Sequence, residues 1–336
     1  MLLAMTNETL PHADANPDSM RAALAEIVEE HGKFNAYNVK LADGVFTRGK
    51  ESTTLADARV LTMVQLGSDL TARPLDELKV LDLGPLEGLF GLEFAANGAQ
   101  VVGIEGRAAN VARAEFITDA LGLSDNTNWT VGDARHLSVA DHGTFDVVMC
   151  LGLLYHLDGD DQLPFLQRLA DSTDGVTIID THVSTRPVST ISYGDKEYSG
   201  RWYHEHDASV SMKERMRATR SSLDNEESFW LTLPSLVNAL KDVGFTSVLQ
   251  LPPFLEVAKN RDRVQLVAIK GTPVSPRIEP NRFDLDDLRM REIDSRPIHK
   301  SQDPTFATKQ VMARVIPEGV RSLARQMRGK LRSLRR

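Results

Sequence analysis

Residues 79–107 read KVLDLGPLEGLFGLEFAANGAQVVGIEGR, and this stretch decides the fold. Val80, Leu81 and Leu83 make a short apolar run of the kind buried in a parallel strand. The chain then turns through Gly84-Pro85-Leu86-Glu87-Gly88. A helical pattern follows in Leu89, Phe90, Leu92, Phe94 and Ala95, and Asn97-Gly98 stops it. A second apolar run, Val101-Val102-Gly103-Ile104, ends on Glu105. The order is β-α-β, with glycines in the first turn and an acid at the tip of the second strand.

Each part has a physical use. Glycine lets a backbone approach a ligand closely, and a helix start offers free N–H groups to an anion. An acid about 20 residues on accepts both hydroxyls of a ribose. The unit predicts a nucleoside-binding crevice at the carboxyl ends of parallel strands; the competing reading is plain scaffold. A dinucleotide turn has the form G-x-G-x-x-G, whose second glycine makes room for a pyrophosphate. Leu86 fills that place here, and Gly84, Gly88 and Gly91 give another spacing.

With D-L-G-x-x-x-G kept and its central glycine missing, the stretch resembles motif I of class I S-adenosylmethionine (SAM) methyltransferases. Two later segments match in order. Thr130-Val131-Gly132-Asp133-Ala134 resembles the loop whose acid meets the adenine amino group. Residues 145–156, FDVVMCLGLLYH, resemble the fourth strand and its active-site exit. The resemblance implies an α/β fold, a doubly wound Rossmann-like seven-stranded sheet with a final antiparallel strand, and S-adenosyl-L-methionine as cofactor. It places Asp82 and the turn from Gly84 to Gly88 at the methionine end, Glu105 on the ribose and Asp133 near adenine. Gly106, Ala134 and Leu151 complete the expected cofactor set. Glu87 is unusual in such a turn: it either attracts the ammonium or sulfonium or is simply solvated, and it is counted with that set.

The composition fits an ordinary globular protein: 336 residues, 41% hydrophobic and 26% charged. No run approaches a membrane span. Met1-Leu2-Leu3-Ala4-Met5 is too short and uncharged for a signal peptide. With one cysteine, Cys150, no intrachain disulfide forms, and a cytoplasmic location is expected. The net charge of −8 hides an asymmetry. Residues 306–336 carry nine basic residues against Glu318, a charge of +8, which leaves −16 on the rest. An acidic body is a poor general nucleic-acid binder, whereas a basic tail suits phosphates or anionic lipid.

Taken in order, the chain divides into an N-terminal cap (1–74), a methyltransferase-like domain (75–271) with a substrate-cap insertion (182–232), a linker (272–305) and a basic helix (306–336). In the cap, Met20, Leu24, Ile27 and Val28 mark an amphipathic helix ended at His31-Gly32. Asp43-Gly44 between alternating apolar residues marks a hairpin, and 55–66 a second helix. In the domain, strands are expected at 129–131, 145–150, 176–180, 247–251 and 264–269, with helices at 108–121, 161–170 and 233–243. The insertion gathers Tyr193, Tyr198, Trp202, Tyr203, Phe229 and Trp230, which are expected to line a pocket for sugar rings or planar substrates or to form a cap with its own core. In the last segment Val320, Leu323, Met327, Leu331 and Leu334 form one apolar helical stripe among arginines. It suits a membrane surface, making the protein peripheral at the inner membrane, a protein partner, or docking on the acidic body.

Methyl transfer to a hydroxyl requires a near-attack geometry and removal of a proton. The strand-four exit lacks the Asn-Pro-Pro-Tyr or Asp-Pro-Pro-Tyr pattern of many N-methyltransferases, which favours an oxygen acceptor. Candidate catalytic bases are His156, His182, His204 and His206, since histidine titrates near neutral pH; each is also an ordinary structural hydrogen-bonder. No compact metal-ligand spacing is present, and Cys150 fits a buried filler. The segments DLGPLEG, VGIEGR, CLGLLYHL, RWYHEH and NEESFWLTLPSLVNALKDVGF are similar to a bacterial methyltransferase group associated with glycan or natural-product modification. LGLLYH and LPSLVNALKDVGF are also similar to tRNA wobble-uridine carboxymethyltransferases, whose lysine-rich RNA surface the acidic body lacks. The expected function is O-methylation of a saccharide, glycolipid or natural-product hydroxyl. The alternatives are a tRNA-modifying transferase, a non-catalytic SAM-binding scaffold and a nicotinamide oxidoreductase.

Overall fold

The N-terminal helix α1 (Pro17–His31) begins where the Asn16 side chain accepts the Asp18 N–H at 2.9 Å, and it stops at Gly32. Strands β1 (Lys40–Ala42) and β2 (Val45–Phe46) form the expected hairpin across Asp43-Gly44. Helix α2 (Leu55–Thr71) runs past its expected end at Leu66. Gly67 is not a stop: a Cβ there would lie 2.8 Å from the Phe94 ring, so the glycine lets α2 pack closely. The computed structural model describes residues 16–49, 55–219, 221–251 and 262–272. The basic helix expected at 306–336, and the linker beyond its first residue, lie outside the described residues.

The quoted stretch forms β3 (Lys79–Leu83), α3 (Leu89–Ala96) and β4 (Gln100–Glu105). Helix α4 (Ala108–Leu121), strand β5 (Thr127–Val131), helix α5 (Val139–His142), strand β6 (Phe145–Leu151), helix α6 (Gly159–Asp171) and strand β7 (Thr173–His182) follow. After the insertion come α8 (Leu233–Asp242), β11 (Ser247–Gln250) and β12 (Arg263–Ile269). Their sheet has seven strands in the order β11-β12-β7-β6-β3-β4-β5. All run parallel except β12, which is antiparallel to both neighbours. This is the expected doubly wound sheet. Strand order reverses at β3, which lies between β4 and β6, and a crevice opens at such a switch point.

Alternation along the strands fills both faces. Val80, Val147, Ile178 and Val267 pack with Phe94 and Ile117 on one side, and Leu81, Val148, Ile179 and Leu266 with Phe165 and Leu240 on the other. Cys150 is fully buried on the second face, and burial pushes its thiol up to about 12. The insertion folds as β8 (Ser189–Tyr193), β9 (Lys196–His204), α7 (Met212–Arg217) and β10 (Glu227–Leu231). Its strands make a three-stranded antiparallel sheet, β10-β9-β8. Tyr198 and Phe229 from this sheet belong to the main core rather than to a separate one, whereas Tyr193 and Trp202 are exposed. Among the described residues no helix is long and apolar enough to cross a membrane.

The glycines of the first β-α-β unit serve packing as well as turning. The Trp129 indole, whose Nε1–H donates to Thr118 Oγ1 at 2.8 Å, lies against Gly88, Gly91 and Gly103. A Cβ at Gly103 would come within 2.1 Å of the indole. Gly103→Ala is therefore expected to lower the free energy of unfolding by about 1–3 kcal/mol, the usual scale of overpacking. Urea denaturation measures it; unchanged stability would mean the indole moves at no cost.

Candidate active site

A cavity of about 350 Å³ follows the carboxyl edge of the sheet. Successive strand ends contribute to its wall: Asp133 and Ala134 beyond β5, Glu105 at the end of β4 with Gly106 after it, Gly84 and Leu86 beyond β3, and Leu151 at the end of β6 with Gly152 after it. Seven of the residues expected from the sequence thus line it: Gly84, Glu105, Gly106, Asp133, Ala134, Leu151 and His156.

The turn after β3 is held from below. One Glu105 oxygen accepts the Leu86 N–H at 3.0 Å and the other the Arg107 N–H at 2.9 Å, and burial pushes this carboxyl above its ordinary range. Leu86 takes φ +54°, the left-handed conformation usually left to glycine, at the place of the missing central glycine. Asp82 does not line the cavity. It is buried beneath the turn, where it accepts the Gly91 N–H at 3.2 Å. Glu87 and Gly88 are also absent from the wall. Glu87 is neither solvated nor turned toward the cavity: it is fully buried, and its carboxylate accepts the N–H groups of Asn35, Ala36 and Tyr37 at 2.8, 3.1 and 2.9 Å. Its role is to seat the N-terminal segment, which brings Tyr37 into the cavity wall.

The four histidines separate. His156 lines the cavity, and its Nδ1 lies 2.8 Å from Glu205 Oε1. His182 lies behind Tyr155, stacked on Trp230 with centroids 4.9 Å apart and with Nδ1 3.4 Å from Asp262. His204 is exposed and pairs with Asp207 at 3.1 Å. His206 is buried, with Nε2 2.9 Å from the Ser222 carbonyl oxygen. Of the four, His156 alone lines the cavity. Of the aromatic residues expected at the crevice, Tyr155 lines the cavity while those of the insertion do not.

Several wall residues escaped the sequence reading. Arg59 on α2 and Arg263 on β12 both bind buried Asp180, Arg59 at 2.9 Å, and Gln265 donates to the same carboxylate at 2.8 Å. Two guanidinium groups therefore face the cavity with one carboxylate between them. Arg107 donates to the carbonyls of Met216, Ala218 and Ser221, and Arg135 bridges Asp133, Asp161 and Asp224. These contacts strap the end of the insertion across the cavity, with Leu223 packed where a Gly106 Cβ would be. Burial alone would raise the Asp133 carboxyl, but its hydrogen bonds from Arg135 hold it below the ordinary range. Apart from Asp133 with Arg135, these pairings join residues far apart in sequence and leave no local pattern. Glu205 lies in RWYHEH between two flagged histidines and was the nearest to being found. Among the described residues no three His, Cys, Asp or Glu side chains gather as a metal site.

Asp82 carries a pH signature. Burial raises its carboxyl from 3.8 to about 7, opposed by the Gly91 N–H and reinforced by Glu105. The folded chain then binds more protons than the unfolded chain between those values, so this group's contribution to stability falls as pH rises from 3.8 to about 7. Asp82→Asn should flatten that slope relative to the parent in denaturation midpoints measured at successive pH values. Parallel curves would show that Asp82 titrates normally.

Residues 80–174 match the family described as a methyltransferase domain. Over 133 residues the chain is 32% identical to a ubiquinone biosynthesis O-methyltransferase of Azorhizobium caulinodans, covering 39% of this chain and 50% of that protein. Over 116 residues it is 34% identical to the O-antigen chain terminator bifunctional methyltransferase/kinase WbdD of Escherichia coli, covering 33% of this chain and 16% of that one. The chain thus spans half or less of the length of these relatives. Its fold is similar to the N-terminal domain of EvdMO1, crystallised in the presence of SAH and D-fucose, with a TM-score of 0.57 and 23% identity over 77% of this chain and 97% of that one. Residues 80–174 are thus the part of the chain that a methyltransferase-domain family matches, within a fold similar to that of the EvdMO1 N-terminal domain.

Proposed function

We propose that this chain is a SAM-dependent O-methyltransferase acting on a hydroxyl of a saccharide, glycolipid or natural product. The observation that carries the reading is that Glu105 and His156 line one cavity, at the ends of β4 and beyond β6. Glu105 offers a buried carboxylate to a ribose diol, and Asp133 with Ala134 lies at the adenine side. Arg59 and Arg263, two cations sharing Asp180, leave one positive charge for the carboxylate of the cofactor's amino-acid end. When bound, the cofactor supplies an electrophilic methyl group on a sulfonium.

His156 then receives, at Nε2, the proton that the acceptor hydroxyl loses as its oxygen takes the methyl group. The strap of 216–219 and 221–225, held by Arg107 and Arg135, keeps water from this exchange. An oxygen acceptor is supported by the ubiquinone biosynthesis O-methyltransferase among the relatives, and a glycan setting by the O-antigen chain terminator methyltransferase/kinase. On this reading the insertion at 182–232 selects the acceptor. The basic segment 306–336 brings the enzyme to an anionic membrane surface or a partner, its charge opposed in sign to that of the rest of the chain.

Calorimetry with SAM and with S-adenosylhomocysteine tests the cofactor. Both should bind, and Glu105→Ala should weaken binding roughly ten- to a hundredfold, the loss of a charged acceptor worth about 1.5–3 kcal/mol. Transfer of labelled methyl from SAM to a panel of hexoses, 6-deoxyhexoses and phenols tests the acceptor. His156→Ala should lower that transfer by about a hundredfold or more while leaving affinity for S-adenosylhomocysteine unchanged. Binding of NADH without binding of SAM would replace this reading with an oxidoreductase.

A further inference from the structure

The partner of His156 comes from the insertion. Glu205, just after β9, is almost fully buried, with 3% of its side chain exposed. Its Oε1 lies 2.8 Å from His156 Nδ1 and accepts Ser228 Oγ–H at 3.0 Å; its Oε2 accepts the Ser222 N–H at 3.2 Å. The imidazole is held on its backbone side too. The His156 N–H donates to Leu153 O at 2.9 Å, and its carbonyl accepts from Asn225 Nδ2 at 3.0 Å.

We infer that Glu205 is the positioning residue of the reaction, holding neutral His156 as the Nδ1–H tautomer with Nε2 bare toward the cavity. The inference rests on the reading of His156 as the base. An ionised carboxylate only accepts hydrogen bonds, so the ring nitrogen facing it must carry the proton. The other nitrogen is then left with its lone pair, as a proton acceptor requires. When Nε2 takes the acceptor's proton, the ring becomes a cation 2.8 Å from a buried carboxylate that needs no rearrangement to meet it.

The same carboxylate ties the base to the strap. Ser222 lines the cavity, donates its N–H to Glu205, and accepts at its carbonyl from His206. Both junctions come from RWYHEH, so the acceptor side of the molecule sets the state of a base that follows the β6 strand. A purely structural Glu205 would cement Ser222 and Ser228 without governing the tautomer.

Ring-15N-labelled histidine in the full chain decides between the two, with the His156 signals assigned by loss in His156→Gln. The parent should show neutral His156 with protonated Nδ1 and bare Nε2. Glu205→Gln, whose amide can donate as well as accept, should shift the population toward the other tautomer, and Glu205→Asp should retain more of the parent state. Ser228→Ala, which removes a neighbour of the same oxygen, should leave the ring unchanged. S-adenosylhomocysteine affinity should be the same in all three. A His156 tautomer indifferent to Glu205→Gln would overturn the inference while leaving His156 as the base. If Glu205→Gln does not fold, the parent spectrum still decides, because protonated Nε2 with bare Nδ1 contradicts it. Undiminished methyl transfer in His156→Ala would overturn the base, a result separable from either spectrum.

Discussion

A buried carboxylate with three backbone donors holds this site together. Glu87 is fully enclosed, and a charge in that position is costly unless it is paired. Its partners are three successive N–H groups, from Asn35 to Tyr37, with Arg113 Nε 3.7 Å away. Arg113 in turn donates to the His31 carbonyl at the end of α1 at 2.6 Å. One acid in the turn after β3 therefore docks the N-terminal helix, the segment behind it and Tyr37 onto the sheet. The cavity wall between the turn and α2 depends on that contact.

The five inner strands of the central sheet were legible because they are apolar runs buried on both faces. Such a pattern has few readings. The antiparallel direction of β12 came from resemblance alone, since an apolar run at 264–269 carries no sign of direction. The sheet of the insertion was harder. β9 mixes aromatic, charged and small residues, and the eye goes to its aromatics as ligands. Yet Gly194-Asp195 joins Tyr193 to Lys196 as a two-residue hairpin loop, with Gly194 at φ +61°. That hairpin signal is local to four residues and sits among the aromatics.

The site divides the same way. Gly84, Glu105, Asp133 and His156 stand at fixed offsets from strand ends, so finding the strands found them. Asp180 meets Arg59 and Arg263 across 121 and 83 residues, and Glu205 meets His156 across 49. Pairings of that kind are made by topology and have no local trace. Glu87 failed for another reason. Its neighbourhood in sequence is a ligand turn, but its neighbourhood in space is the backbone of another segment. Gly88 and Gly103, in turn, owe their place partly to an indole from β5.

Cys150 gives the molecule a built-in reporter. It is the sole thiol in the chain, it lies in β6 opposite Leu83 of β3 and Ile179 of β7, and none of its surface reaches solvent. A thiol reagent reaches that sulfur when the centre of the sheet parts, not when a loop frays or the strap lifts. The rate of its modification therefore measures opening of the middle of the fold. Any ligand that binds the native cavity should slow that clock by the extent to which it holds the sheet closed.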